Sequence, residues 1–258
     1  MQWSQWSLDT LSQDLPPEAH SLLGPNEPNH HLQADLTPEV AARLWPALQK
    51  AADEHSLRLG SPAASPCGAD CVLADPFEWL DRFFKACVGC RIDFIASHYY
   101  SCSAPYLALY VAELARYGRP VWLTELACPL GPSAGGEATQ AAYMAAALDV
   151  LDKEPVVERY AWFAPRTYDC DWIGPGASLL QAGQPALTQL GALYIGAPGG
   201  QGPPPQATQS DQGAGLGALQ ADERGPFIRM CTQECGYWNY GTGLGSPRAG
   251  KPGRLGSE

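Results

Sequence analysis

The sequence contains no apolar run of about 18 residues, so it offers no candidate for a membrane-spanning helix. It is also short of positive charge. Its 16 Lys and Arg stand against 27 Asp and Glu, giving a formal charge of -11. With a pI near 4.8, such a surface repels nucleic acid and anionic lipid, whereas a neutral polymer is indifferent to it. A second Cys-x-x-Cys and a suitably spaced His pair are both missing, which makes Cys87-Val-Gly-Cys90 a local disulfide candidate rather than half a zinc site. His30-His31 reads as a polar rim and not as a metal ligand pair. No metal and no cofactor are expected. The opening stretch, MQWSQWSLDT, lacks the basic and apolar regions of a signal peptide.

Against these absences stand nine cysteines, a number that suits an oxidising compartment. That signal conflicts with the missing leader. The expectation is that the natural N-terminus, with a signal peptide, lies upstream of Met1, and that the complete protein is extracellular or in the cell wall. Cys67 with Cys71 is a further candidate pair, as is Cys102 with Cys128, because the latter two follow strands at one face of a parallel sheet. Spacing leaves the connectivity open, and an odd total leaves at least one thiol over.

From Ser21 to about Tyr194, short apolar runs alternate with longer helical patterns, the signature of consecutive βα units and a parallel sheet. Strands are expected at Ser21 to Pro25, Leu57 to Ser61, Ile92 to Ser97, Val121 to Glu125 and Arg159 to Phe163. Each is brief and apolar, as for strands buried on both faces. Thr37-Pro38 and Asp75-Pro76 are N-cap and N1 pairs that open two helices, and Gly118 is a C′ residue closing a third that begins near Tyr106. Helices are also expected from Glu137 to about Asp152 and from Pro185 to Tyr194. From Gly196 onward the composition changes, since more than half of the 27 glycines lie there. Residues 1–195 therefore read as a catalytic unit and residues 196–258 as a disordered tail, with an aromatic and cysteine island at Phe227 to Tyr240.

Glu27 and Glu125 carry the chemistry. Each stands at the C-terminal end of an expected buried strand, the end at which a parallel barrel gathers its catalytic groups. An acid is expensive to bury there unless a partner or a function holds it. Retaining glycoside hydrolysis needs two such acids about 5–5.5 Å apart, one to protonate the leaving oxygen and one to attack the anomeric carbon. Asn26 beside Glu27 could bond a sugar 2-hydroxyl. His98 and Tyr100 could hold the nucleophile ionised and oriented, and Trp162 could stack on a pyranose ring.

The stretches LLGPNEPNH, LRLGSPAAS, DFIASHYY, PVWLTELACP and YAWFAPR, in this order, resemble glycoside hydrolase family 128 from Met1 to about Tyr194. The resemblance implies an α/β fold of the (β/α)8 TIM-barrel type and endo-acting, retaining hydrolysis of β-1,3-glucan. It further implies an Asn-Glu acid/base after the fourth strand and a Thr-Glu nucleophile after the seventh. By motif, Glu27 is then the acid/base and Glu125 the nucleophile, with Asn26, His98, Tyr100 and Trp162 as substrate-binding or supporting residues. The partner implied is a β-glucan, bound by a monomer.

Two departures from the family pattern bear on that expectation. Tyr99 stands where the family has Trp, which would shrink a stacking surface. Only 25 residues precede Asn26, and Met1-Gln2-Trp3 resembles the end of a third strand, so an incomplete barrel of about strands 4 to 8 is expected. The competing reading is a glycan-binding or cell-wall protein without turnover, or an inactive fragment. A weaker one is hydrolysis of β-1,4 or β-1,6 linkages.

Overall fold

The structure, a computed structural model, describes residue 8 and residues 10–67, 71–131 and 136–196. The tail from 197, its aromatic island and the Met1-Gln2-Trp3 stretch lie outside these. A short helix, α1 (Leu11–Asp14), precedes five βα units. The strands are β1 (Ser21–Leu22), β2 (Arg58–Leu59), β3 (Ile95–Tyr100), β4 (Val121–Ala127) and β5 (Val157–Trp162). The helices that follow them in turn are α2 (Pro38–Glu54), α3 (Pro76–Ala86), α4 (Ala104–Leu114), α5 (Glu137–Lys153) and α6 (Gln189–Ile195).

All strand pairs are parallel. One sheet holds β1 and β2, the other β3, β4 and β5 in that order. Single parallel bridges from Gly60 to Phe94 and from Ala64 to Ser97 join β2 to β3, so the five strands run side by side in chain order. Gly60 is required at this junction because a Cβ there would strike the Phe94 ring.

The helix starts follow from local chemistry. The Thr37 hydroxyl accepts from the Val40 amide, the Asp75 carboxylate from Phe77, and the Ser103 hydroxyl from Tyr106, each with Pro at the first or second helical position. A cap of this kind is worth about 1 kcal/mol. After α4 a 3₁₀ turn (Ala115–Tyr117) ends at Gly118, whose φ of 65° is left-handed. The last helix differs from expectation. It begins at Gln189 and not Pro185, because Gln181 bonds Ala186 and Leu180 bridges Leu187, so that stretch forms a turn until Thr188 caps the helix.

Alternation along β3 sorts its side chains into two layers. Ser97 and Tyr99 face α4, where Ser97 Oγ lies 2.7 Å from the Tyr110 hydroxyl and the Tyr99 and Tyr110 rings are 4.8 Å apart. Phe94 and Ala96 face the other way and pack with Ala63 and Trp122 in a separate inner cluster. There the Phe94 and Trp122 rings stack at 3.8 Å, and Arg58 of β2 reaches across to Glu158 of β5 through two bonds of 2.7 and 2.8 Å. His98 and Tyr100 continue this inner face toward the C-terminal end of the strand.

Disulfides join Cys67 to Cys71, Cys87 to Cys90 and Cys102 to Cys128, while Cys170 is a buried thiol. All three candidate pairs form. No helix among the described residues is long and apolar enough to cross a membrane.

Candidate active site

Glu27 lies just past β1, in a loop that turns back on itself. Its amide bonds the Ala63 carbonyl and its own carbonyl accepts from His30. The residue has φ 38°, a left-handed conformation that disfavours any side chain with a Cβ and is typical of strained functional sites. Buried Asn29 locks the loop, since its amide nitrogen donates to the carbonyls of Ser65 and Leu73 and its oxygen accepts from the Ser65 amide. Asn26, itself buried, donates to Gln33.

Glu125 reaches the site by a different route. Trp122 belongs to the inner cluster, and strict alternation would send Glu125 outward with Leu123. Instead the ladder shifts: Ser97 pairs with Leu123, but His98 pairs with Glu125. Thr124 is the extra residue of a β-bulge, and it re-aims every side chain beyond it. Glu125 therefore faces inward beside His98, while Leu126 returns to the outer core.

His98 joins the two acids. Its Nδ1 is 2.8 Å from Glu27 Oε1 and 3.1 Å from Glu125 Oε2. Both partners are carboxylate oxygens, which can only accept when ionised, so Nδ1 carries the hydrogen and shares it. The Tyr100 hydroxyl donates to the same Glu125 oxygen at 2.5 Å. Glu27 and His98 are fully buried and Glu125 is 8% exposed. Among the described residues, Glu27 Oε2 and His98 Nε2 have no hydrogen-bond partner.

Burial opposes a charge on His98, yet the charge of Glu125 and the bond to Glu27 outweigh it and raise its pKa above the ordinary 6.5. Desolvation raises Glu125 above 4.5. His98 opposes that rise, the charge of Glu27 adds to it, and the Tyr100 bond pulls it down again. The ligating atoms of Glu27, His98 and Glu125 lie within 4.8 Å of one another, close enough to share a cation as well as a proton. A hollow of about 360 Å³ lined by Asp53, Arg58, Arg91 and Asp93 sits at the opposite ends of the strands and has no part in this site.

The structure thus brings Glu27, His98, Tyr100 and Glu125 into contact, with Asn26 alongside. Trp162 is not with them. It pairs with Leu126 in the ladder, so its ring turns outward toward Tyr143 and its indole nitrogen donates to the Ala177 carbonyl. Tyr99 is likewise no stacking surface, being buried against Tyr110 on the helix-facing side. The rings near the acids are Phe163 and Trp172, half-buried, with centroids 5.9 and 4.7 Å from that of Tyr100. Phe163 was legible only as the neighbour of Trp162. Trp172, on an irregular loop, and Asn29, two residues after Glu27, had no periodic signal at all.

The family model for the glycosyl hydrolase catalytic core matches residues 1–194. The chain belongs to that family. Among solved members, an endo-β-1,3-glucanase of GH128 subgroup II from Sorangium cellulosum is 40% identical, with a TM-score of 0.69 over 77% of this chain and 79% of that one. A mutant GH128 subgroup I endo-β-1,3-glucanase from Amycolatopsis mediterranei, solved with laminaritriose and laminaribiose, is 32% identical. Its TM-score is 0.61, over 76% of this chain and 80% of its own. The branch of the glycosyl hydrolase catalytic core to which this chain is assigned is therefore glycoside hydrolase family 128. Alkali-sensitive linkage protein 1 of Schizosaccharomyces pombe is 40% identical over 142 residues, 53% of this chain but only 24% of that protein's length.

Proposed function

We propose that this chain is the catalytic part of a retaining endo-β-1,3-glucanase. The observation that carries the reading is the separation of the two acids. Their nearest oxygens lie within 4.8 Å. Double displacement uses carboxyls about 5–5.5 Å apart, whereas inversion needs about 6.5–9.5 Å to admit a water between acid and base. Glu27 first protonates the leaving glucosyl oxygen and later deprotonates water. Glu125, oriented by His98 and Tyr100, attacks the anomeric carbon. Asn26 contacts the sugar 2-hydroxyl, and Phe163 and Trp172 supply aromatic faces beside it.

The linkage is supported by the laminari-oligosaccharides bound to the Amycolatopsis relative. The five parallel strands, each followed by a helix, support a contiguous arc of a (β/α)8 barrel, with residues 1–195 as the catalytic unit. Three disulfides support an extracellular or cell-wall location, and we take the protein to act as a monomer.

The test is hydrolysis of laminarin, followed by proton NMR of the first-formed anomer. The expected product has the β configuration, and Glu27→Gln lowers kcat by about 10²–10⁴-fold. Inverted product would overturn the mechanism. Binding of laminarin without release of reducing ends would favour a glycan-binding protein instead.

A further inference from the structure

The bulge that turns Glu125 inward also interrupts the pairing of its strand. A bulge leaves one residue unpaired and disrupts the ladder locally, and here the register shifts on both sides of β4: toward β3 between Ser97 and His98, and toward β5 between Leu123 and Leu126. Only Leu126 and Ala127 separate Glu125 from Cys128. Cys128 is fully buried, its carbonyl accepts from the buried Gln140 side chain at 2.7 Å, and its sulfur is bonded to Cys102. Cys102 in turn lies two residues past Tyr100, the donor to Glu125. Immediately before the two cysteines, the Ser101 amide donates to the Ala127 carbonyl at 3.2 Å.

We propose that the Cys102–Cys128 disulfide is a positioning device for the nucleophile, fixing the ends of β3 and β4 in the register that the Thr124 bulge creates. Without it, β4 beyond Thr124 can slip by one residue toward regular pairing. A slip of one residue exchanges the two faces of a strand, so Glu125 would leave His98 and Tyr100. Of the other two disulfides among the described residues, Cys87–Cys90 follows α3 ahead of β3, away from both acids. It provides the control.

The inference rests on the glucanase reading for its kinetic consequence, but it has a readout independent of turnover. The experiment compares the parent with the double variants Cys102→Ser/Cys128→Ser and Cys87→Ser/Cys90→Ser. Each is measured for kcat and KM on laminarin across pH, and by ¹³C NMR titration of the Glu125 carboxyl. For the first variant the expected result is a kcat lower by about tenfold or more with KM changed less than about twofold, as for a misplaced reacting group. Its Glu125 midpoint and the acid limb of kcat both move upward, because the Tyr100 bond that lowers that midpoint is weakened. The control variant keeps the parent's midpoint.

An unmoved Glu125 midpoint and acid limb in Cys102→Ser/Cys128→Ser would overturn the proposal, whatever stability it loses. If that variant does not fold, a Cys67→Ser/Cys71→Ser/Cys87→Ser/Cys90→Ser protein, in which Cys102–Cys128 is the one disulfide left among the described residues, is treated in its native state with dithiothreitol. The dithiol gives two electrons and two protons to the Cys102–Cys128 bond and closes to its own cyclic disulfide. The same upward movement is expected, and an unchanged midpoint with both thiols released would again refute it. A parent that does not cleave laminarin but whose Glu125 midpoint still moves on loss of the bond would sink the glucanase reading and leave the positioning role standing.

Discussion

The two acids meet at one point but are delivered by unlike structures. Glu27 hangs from a two-residue strand and owes its place to a loop whose carbonyls and amides are tied down by Asn29, Ala63 and Gln33, with the backbone held left-handed. Glu125 belongs to a seven-residue strand buried almost throughout, and owes its place to the one irregularity in that strand's ladder with β3. A loop acid should fail gradually as its tethers are removed. A strand acid should fail at once when its register is lost.

The largest expected effect follows from that contrast. Deleting Thr124 removes the bulge residue and turns Glu125 toward the helices, so laminarin hydrolysis should fall to the level of Glu125→Gln while circular dichroism still reports an α/β fold. Residual activity within about tenfold of the parent would mean that the bulge is not what aims the acid. Next, substrates with an aryl leaving group should restore much of the rate to Glu27→Gln and none to Glu125→Gln, because a good leaving group needs no protonation but still needs a nucleophile. Equal rescue of both would exchange or abolish the assigned roles.

Asn29→Ala should cost about 2–3 kcal/mol in urea unfolding, since it takes the Asn29 bond from a buried carbonyl, a part-buried carbonyl and a buried amide. Its kcat should fall only in part, the graded failure expected of a loop acid. Tyr100→Phe should lower kcat by about tenfold, in the range of one lost charge-assisted bond, and should move the acid limb upward.

The smallest effect is on stability against pH. The folded state holds protons on Glu125 and His98 more tightly than the unfolded chain does. Stability should therefore fall as pH rises, from about 4.5 through the raised pKa of Glu125 and from about 6.5 through that of His98. The slope of the urea midpoint against pH should flatten in His98→Gln, and a slope of opposite sign would contradict the shared proton.

Much of this was legible from residues alone. Caps are local, so Thr37-Pro38, Asp75-Pro76 and Gly118 fixed helix ends within a residue or two, and the five strand sites follow from short apolar runs. Glu27 and Glu125 stood out because an acid after a buried strand is costly, and Cys102 with Cys128 was one candidate pair, suggested by two strands ending at one face, that the structure forms. The facing of aromatic residues was not legible. Tyr99 and Trp162 are apolar positions on buried strands, where both faces accept apolar groups and periodicity cannot assign one.

What the sequence by itself determined is therefore which residues carry the chemistry and in what order the elements come, because propensity, capping and the cost of burying charge act within a few residues. What only the tertiary structure decided is where those residues point. The left-handed turn at Glu27 depends on Asn29 reaching Ser65 and Leu73, the inward aim of Glu125 on a register shift against β3, and the proton bridge of His98 on both. Each is a relation between segments far apart in the chain, and it exists only once the strands lie side by side.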